Sequence, residues 1–225
     1  MPTYRLILFD IDGTLISTGG AGVKAFAQTF ADLFNLPEAT AQTRFDGRTD
    51  FGLIREIFTA QDIEPTEENI VRFQNGYLER LQTYLPTGQH EPLPGVRQFI
   101  AHCQNHPSTP TLALLTGNHP KGAELKLRHY HLWEQFEFGA FGGDSTDRNE
   151  IARHALTEGQ TRLPNLQPDE ILIIGDTDRD ITCAQSIGAD SLAVATGPYT
   201  EAELTQHKPT HTVPNLKGLS LDSLK

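Results

Sequence analysis

The ten residues Leu6-Ile7-Leu8-Phe9-Asp10-Ile11-Asp12-Gly13-Thr14-Leu15 constrain this chain more than any other stretch. Four apolar residues in a row, closed at once by two carboxylates and a glycine, predict a buried strand whose C-terminal end opens into a polar site. Asp10 and Asp12 are two positions apart, so an extended backbone projects both side chains the same way. Two like charges held together repel unless a cation lies between them or one takes a proton. In isolation Asp-Gly also marks a hairpin turn, and an aspartate can cap a strand end. Two later stretches favour the site. Leu112-Ala113-Leu114-Leu115-Thr116-Gly117-Asn118 and Ile171-Leu172-Ile173-Ile174-Gly175-Asp176-Thr177-Asp178-Arg179-Asp180 are apolar runs that also end in polar groups. In a parallel sheet such ends converge on one edge, where ligands bind at the point of strand-order reversal.

From Val96 onward the periodicity alternates: helix 95–105, strand 111–116, helix 120–131, short strand 136–141, helix 148–159, strand 170–175, helix 179–187, strand 191–195. That alternation predicts an α/β fold built on a Rossmann-like, doubly wound parallel sheet. Between the first strand and this block lie three helical patterns, 21–35, 50–60 and 65–85, with no strand among them. The expected organisation is an α/β core of residues 1–16 and 93–225 carrying an inserted all-helical cap of residues 17–92. Gly19, Gly20 and Gly22 on the way in, and the proline-rich stretch 86–95 on the way out, predict a hinged cap that opens and closes. Thr200-Glu201-Ala202-Glu203 is a capping box that starts a short C-terminal helix.

With 225 residues the chain can bury a real core. A net charge of -11 argues against a nucleic-acid partner, whose phosphates are met by Lys and Arg. A small anionic substrate remains compatible where a metal ion meets its charge locally. No apolar run approaches the roughly 20 residues of a membrane span, and the first residues carry no charged segment followed by an apolar one. Cys103 and Cys183 make no disulfide framework, so the expected home is the cytoplasm and the expected role of both is as small core residues on helices. Oligomeric state is not legible.

The three strand ends together resemble the haloacid dehalogenase superfamily, and the resemblance covers nearly the whole chain. Its first motif, an apolar strand followed by Asp-x-Asp-Gly-Thr-Leu, stands at Asp10 to Leu15; its second, a strand ending in Thr or Ser, at Leu112 to Thr116; its fourth, Gly-Asp-Thr-x-x-Asp, at Gly175 to Asp180. The resemblance implies a phosphatase acting on a small phosphorylated metabolite through an aspartyl-phosphate. Asp10 would be the nucleophile, Asp12 the general acid and base, and Thr116 a donor to a transferring oxygen beside Gly117 and Asn118. It also implies Mg²⁺, held by Asp10, the carbonyl of Asp12, and Asp176, with Asp180 in support behind them. The superfamily's dehalogenase and phosphonatase branches lack the second aspartate, so Asp12 points to phosphoryl transfer.

The third motif departs from the commonest pattern, a lysine ahead of the helix before the fourth motif. No lysine occurs between Lys126 and Lys208, and Arg148 stands at the expected place, with Arg153 one turn later. Arginine keeps its charge and grips phosphate oxygens with two bonds, so the exchange is chemically sound. Lys121 and Lys126 are expected to be solvated. Gly47-Arg48-Thr49-Asp50 resembles a cap loop of phosphoglycolate phosphatase-like members, which makes Arg48 a candidate to meet a substrate carboxylate, against the alternative of an exposed loop arginine. His102 and His106, four apart, are expected to be a surface pair. A hexose phosphomutase of the same superfamily is the competing reading, and it wants a lysine and a histidine in the cap, where only Lys24 and His90 stand. A non-catalytic scaffold is a third, disfavoured because none of the three motif aspartates is missing.

Overall fold

The computed structural model describes residues 4–85, 91–143 and 145–224. In β1 (Leu6–Phe9) all four side chains are fully buried, and strand alternation divides them between two apolar layers, Ile7 and Phe9 on one side, Leu6 and Leu8 on the other. This explains why the strand reads as an unbroken apolar run. The other strands are β2 (Thr111–Thr116), β3 (Phe138–Phe141), β4 (Ile171–Gly175), β5 (Asp190–Val194) and β6 (His211–Val213). They form one sheet in the order β3-β2-β1-β4-β5-β6, and every pairing is parallel. The order reverses at β1, so the ends of β1, β2 and β4 face one crevice.

Helices cover both faces. Helices α4 (Val96–Asn105) and α5 (Pro120–His129) pack on the layer of Ile7 and Phe9, while α6 (Arg148–Arg162) and α7 (Asp178–Ile187) pack on the layer of Leu6 and Leu8. Cys103 and Cys183 are fully buried residues of α4 and α7. Helix α8 (Glu201–Gln206) opens with the expected capping box, closed by Thr200 and Glu203.

The helical insertion holds α1 (Ala21–Phe34), α2 (Asp50–Ala60) and α3 (Glu67–Tyr84) around an apolar cluster of its own. Aromatic rings fill it: Phe73 lies 4.4 Å from Phe30 and 4.7 Å from Phe26, and Phe30 lies 5.4 Å from Phe58. The caps are chemical. Thr49 and Thr66 accept from the amides of Gly52 and Asn69, and Asn35 ends α1 in the left-handed region with φ 56°. At the entry, Gly19 and Gly20 take φ of 60° and 85°. Of the exit linker, residues 86–90, His90 among them, lie outside the described residues. The chain re-enters the core where the Leu93 amide donates to the Leu15 carbonyl at 2.9 Å.

Two expectations are corrected. A sixth strand, β6, pairs beside β5; at three half-buried residues it carries no apolar run to announce it. His102 and His106 are not an idle surface pair. The Leu221 amide donates to His102 Nε2 at 3.1 Å and His106 Nε2 lies 3.1 Å from Asp222 Oδ1, so the two rings hold the C-terminal turn Leu221–Leu224 against α4.

Candidate active site at the sheet switch point

Asp10 follows β1 directly, and its amide donates to the Ile174 carbonyl of β4 at 2.9 Å, which fixes the loop beside Asp176. Asp10, Asp176 and Asp180 are 5%, 2% and 2% exposed, and one carboxylate oxygen of each lies within 4.8 Å of the others. Their surroundings hold them in place. Thr14 Oγ1 donates to Asp176 Oδ1 at 2.9 Å. Asp180 Oδ2 accepts from the Thr177 amide at 3.0 Å and from its hydroxyl at 2.7 Å, as the third residue of a capping box at the start of α7. A side chain at Gly197 would sit 1.7 Å from Asp176 Oδ2, so only glycine lets that loop close over the carboxylate.

Burial pushes the Asp10 carboxyl up to about 7; Arg148 opposes the shift, and Asp180 and Asp12 add to it. Asp176 is raised as well, by burial first and then by the charges of Asp180 and Asp10. Three carboxylates this close are stable only with protons or a cation among them. Arg148 supplies one charge. Its guanidinium donates to Asp180 and lies 3.4 Å from Asp10 Oδ1, while its Nε, buried, has no partner among the described residues. Arg148 is the first residue of α6, placed there because Asp147 caps the helix by accepting from the Asn149 amide at 2.9 Å. Arg153 points away and lies 3.7 Å from Asp147 at the surface.

Asp12 turns its side chain toward β2. Its Oδ2 accepts from Asn118 Nδ2 at 2.8 Å and from Lys126 Nζ at 2.6 Å, and Asn118 Nδ2 also reaches Thr116 Oγ1 at 2.9 Å. Lys126 is only 4% exposed, so the expectation of a solvated lysine is wrong. Position 126 belongs to the inner face of α5, with Ala123 and Leu127 buried beside it. That register is the signal that could have found it: a lysine on an apolar stripe needs a partner inside. Lys121, at the exposed start of the same helix, is solvated as expected.

The insertion closes the site from above. The Asp50 amide donates to the Gly117 carbonyl at 2.8 Å, and Asp50 Oδ2 accepts from the His119 amide at 2.8 Å. The backbones touch so closely that a side chain at Gly117 would meet the Arg48 carbonyl at 2.1 Å. The cleft between core and insertion, with a cavity of about 230 Å³, is lined by Asp10, Asp12, Thr116, Arg148 and Asp176 from the one and by Arg48, with others, from the other. Its size lies below the roughly 300–1,000 Å³ of drug-sized ligand sites. The Arg48 guanidinium is engaged by Glu56, with Nη1 3.1 Å from Oε1.

A family model described as haloacid dehalogenase-like hydrolase matches residues 7–194, from β1 through β5. The chain belongs to that family. Two phosphoglycolate phosphatases are similar over nearly their whole length: one from Mesorhizobium japonicum, 27% identical over 96% of this chain and 93% of its own, and one from Agrobacterium fabrum, 24% identical over 97% and 92%. The crystal structure of CbbY from Rhodobacter sphaeroides in complex with phosphate matches with a TM-score of 0.76 over 99% of both chains at 22% identity, a likeness of fold.

In this haloacid dehalogenase-like site the donor set fits a hard cation. The clustered donors are carboxylate oxygens, buried and close together, with the Gly197 backbone pressed against one of them. The sequence missed three of its residues: Lys126, the Asp176 partner Thr14, and the anchoring carboxylate Asp50. Thr14 is inside the first motif but reads there as a turn residue.

Proposed function

We propose that this chain is a Mg²⁺-dependent phosphatase that hydrolyses a small soluble phosphomonoester through an aspartyl-phosphate on Asp10. The observation that carries the reading is the meeting, at one cavity, of Asp10 and Asp176 from the buried Asp10–Asp176–Asp180 cluster, Arg148 and a second carboxylate, Asp12, whose Oδ1 has no hydrogen-bond partner among the described residues. Asp10 and Asp176, with the carbonyl of Asp12, are the residues that would hold the cation. When bound, Mg²⁺ neutralises charge on the phosphate and keeps these carboxylates ionised.

The chain's own groups supply the rest. An Asp10 oxygen bonds to phosphorus as the bond to the ester oxygen breaks, and Asp12 gives that leaving oxygen its proton. In the second half Asp12 takes a proton from water, whose oxygen bonds to phosphorus as the Asp10 ester breaks. The Thr116 hydroxyl and the amides of Gly117 and Asn118 stand at the end of β2 to meet transferring oxygens, and Arg148 balances charge beside Asp10. Asp180 orients Arg148. Closure of the insertion, residues 17–92 acting as a cap, excludes bulk water.

The two similar phosphoglycolate phosphatases support a substrate with a carboxylate near its phosphate, and Arg48 would meet that carboxylate once freed from Glu56. The phosphomutase reading is weaker because Lys24 Nζ packs 4.2 Å over the ring of Tyr84 and is held there. No helix of the described residues is long and apolar enough to cross a membrane; we place the enzyme in the cytoplasm on its two unpaired, buried cysteines. The deciding experiment measures Mg²⁺-dependent phosphate release from a panel of small phosphomonoesters, beside Asp10→Asn. Release that requires Mg²⁺, vanishes in the variant and is fastest with 2-phosphoglycolate is expected; undiminished release by Asp10→Asn would reject the nucleophile.

A further inference from the structure

Lys126 lies in none of the three strand-end motifs, yet its ammonium is among the most deeply placed cations of the molecule. It rises from α5 in the core toward the insertion: a side chain at Gly22 of α1 would lie 3.5 Å from its Nζ, and Tyr77 of α3 and Asp50 of α2 line the same cavity. Burial alone would drive the proton off an isolated lysine, but here the carboxylates of Asp12 and Asp50, and the hydrogen bond to Asp12, hold it on. An ammonium can only donate. Its bond to Asn118 Oδ1, at 2.6 Å, therefore fixes which way the Asn118 amide faces, and Nδ2 is left to donate to Asp12 Oδ2 and Thr116 Oγ1.

We propose that Lys126 and Asn118 form a clamp that positions Asp12, binding its Oδ2 from two sides so that Oδ1 alone is presented to the reacting phosphate. Lys126 is thus a positioning residue, and the inference rests on the phosphatase reading above. The geometry supports it in two ways. Both clamp bonds converge on the same oxygen, at 2.6 and 2.8 Å, and the Asp12 side chain is still 42% exposed, toward the cavity. Proton transfer then has one route. Oδ1–H gives its proton to the leaving oxygen as the phosphorus–oxygen bond breaks, and Oδ1 later takes a proton from the attacking water as the aspartyl-phosphate opens. The same amide carries the positioning across to Thr116, so Asp12 and the end of β2 are set relative to each other by one side chain.

The test has two arms. In the first, lysine side chains are labelled with ¹⁵N and the ammonium signals recorded for the Mg²⁺-free protein. A slowly exchanging signal present in the wild type, absent from Lys126→Met and lost to rapid exchange in Asp12→Ala is expected; a signal unchanged in Asp12→Ala would overturn the clamp whatever the reaction. The second arm compares wild type, Lys126→Met and Lys126→Arg in single turnover with 2-phosphoglycolate and with p-nitrophenyl phosphate. The nitrophenolate needs no proton to leave, so Lys126→Met should lose about a hundredfold on the alkyl ester and little on the aryl one. KM should be unchanged, and Lys126→Arg should recover part of the rate. Equal losses on both esters, or a raised KM at unchanged kcat, would instead make Lys126 a general structural or substrate-binding group and sink the proposal. If the wild type transfers phosphate from neither of these esters nor from any other of the panel, the phosphatase reading falls, and the ammonium spectra still decide the clamp.

Discussion

At Arg148 the charge arithmetic of the site is sharpest. A guanidinium 7% exposed sits against Asp180 and 3.4 Å from Asp10, two carboxylates that are themselves only 2% and 5% exposed. Breaking such a buried arrangement by removing one partner costs about 3–5 kcal/mol, because the charge left behind has nothing to face. Arg148→Met should therefore lower stability to denaturant by that amount in Mg²⁺-free buffer, measured by urea unfolding; a loss within experimental error would show that protonation of the carboxylates already carries the site. Arg148 was legible in the sequence because the family resemblance told where to look, ahead of the helix before the fourth motif, whereas nothing in the motifs pointed to Lys126. A lysine is ordinarily solvated; the register that puts position 126 on the stripe of Ala123 and Leu127 says that it faces inward, and the fold then supplies its partner, Asp12. Asp50 was hidden for a similar reason: its partners, Gly117 and His119, are 67 and 69 residues away and become neighbours only when the insertion folds down.

At the level of elements, long apolar periodicity proved readable and short pairing did not. The helices α1, α2 and α3 stand within two residues of their expected bounds because each carries a strong apolar face and a chemical cap. Strand β6 depends on what β5 offers it rather than on its own residues, and the clamp of His102 and His106 on the C-terminal turn depends on a segment more than a hundred residues on. Within the insertion, Phe73 is fully buried among Phe26, Phe30 and Phe58. Phe73→Ala should cost about 3–5 kcal/mol and fall mainly on the insertion, which its rings hold together. Circular dichroism melting should show that loss, with backbone amide exchange accelerating in residues 21–84 before the sheet strands; uniform acceleration throughout would mean that insertion and sheet unfold as one cooperative unit.

For the molecule as a whole, the carboxylates set how stability depends on pH and on cation. Asp10 is pushed up to about 7 and Asp50 to about 6, in each case chiefly by burial, and Asp176 is raised with them. A carboxylate whose folded pKa lies above its unfolded value binds its proton more tightly when folded, so stability is greatest below the unfolded pKa near 4 and is lost as pH rises through the folded values. In Mg²⁺-free buffer the melting temperature should accordingly fall between about pH 5 and 8, where many proteins hold level. A bound cation reverses the preference, because it needs Asp10 and Asp176 ionised and must compete with their protons. The stabilisation given by a fixed Mg²⁺ concentration should then grow as pH rises, following RT ln(1 + [L]/Kd) with a Kd that tightens as protons leave. Scanning calorimetry across that pH range, with and without Mg²⁺, separates the two effects. Asp50→Asn should remove part of the cation-free slope and leave the Mg²⁺ increment in place, since Asp50 anchors the insertion to the Gly117–His119 loop rather than joining the buried cluster. A Mg²⁺ increment that is flat with pH would place the cation away from Asp10 and Asp176.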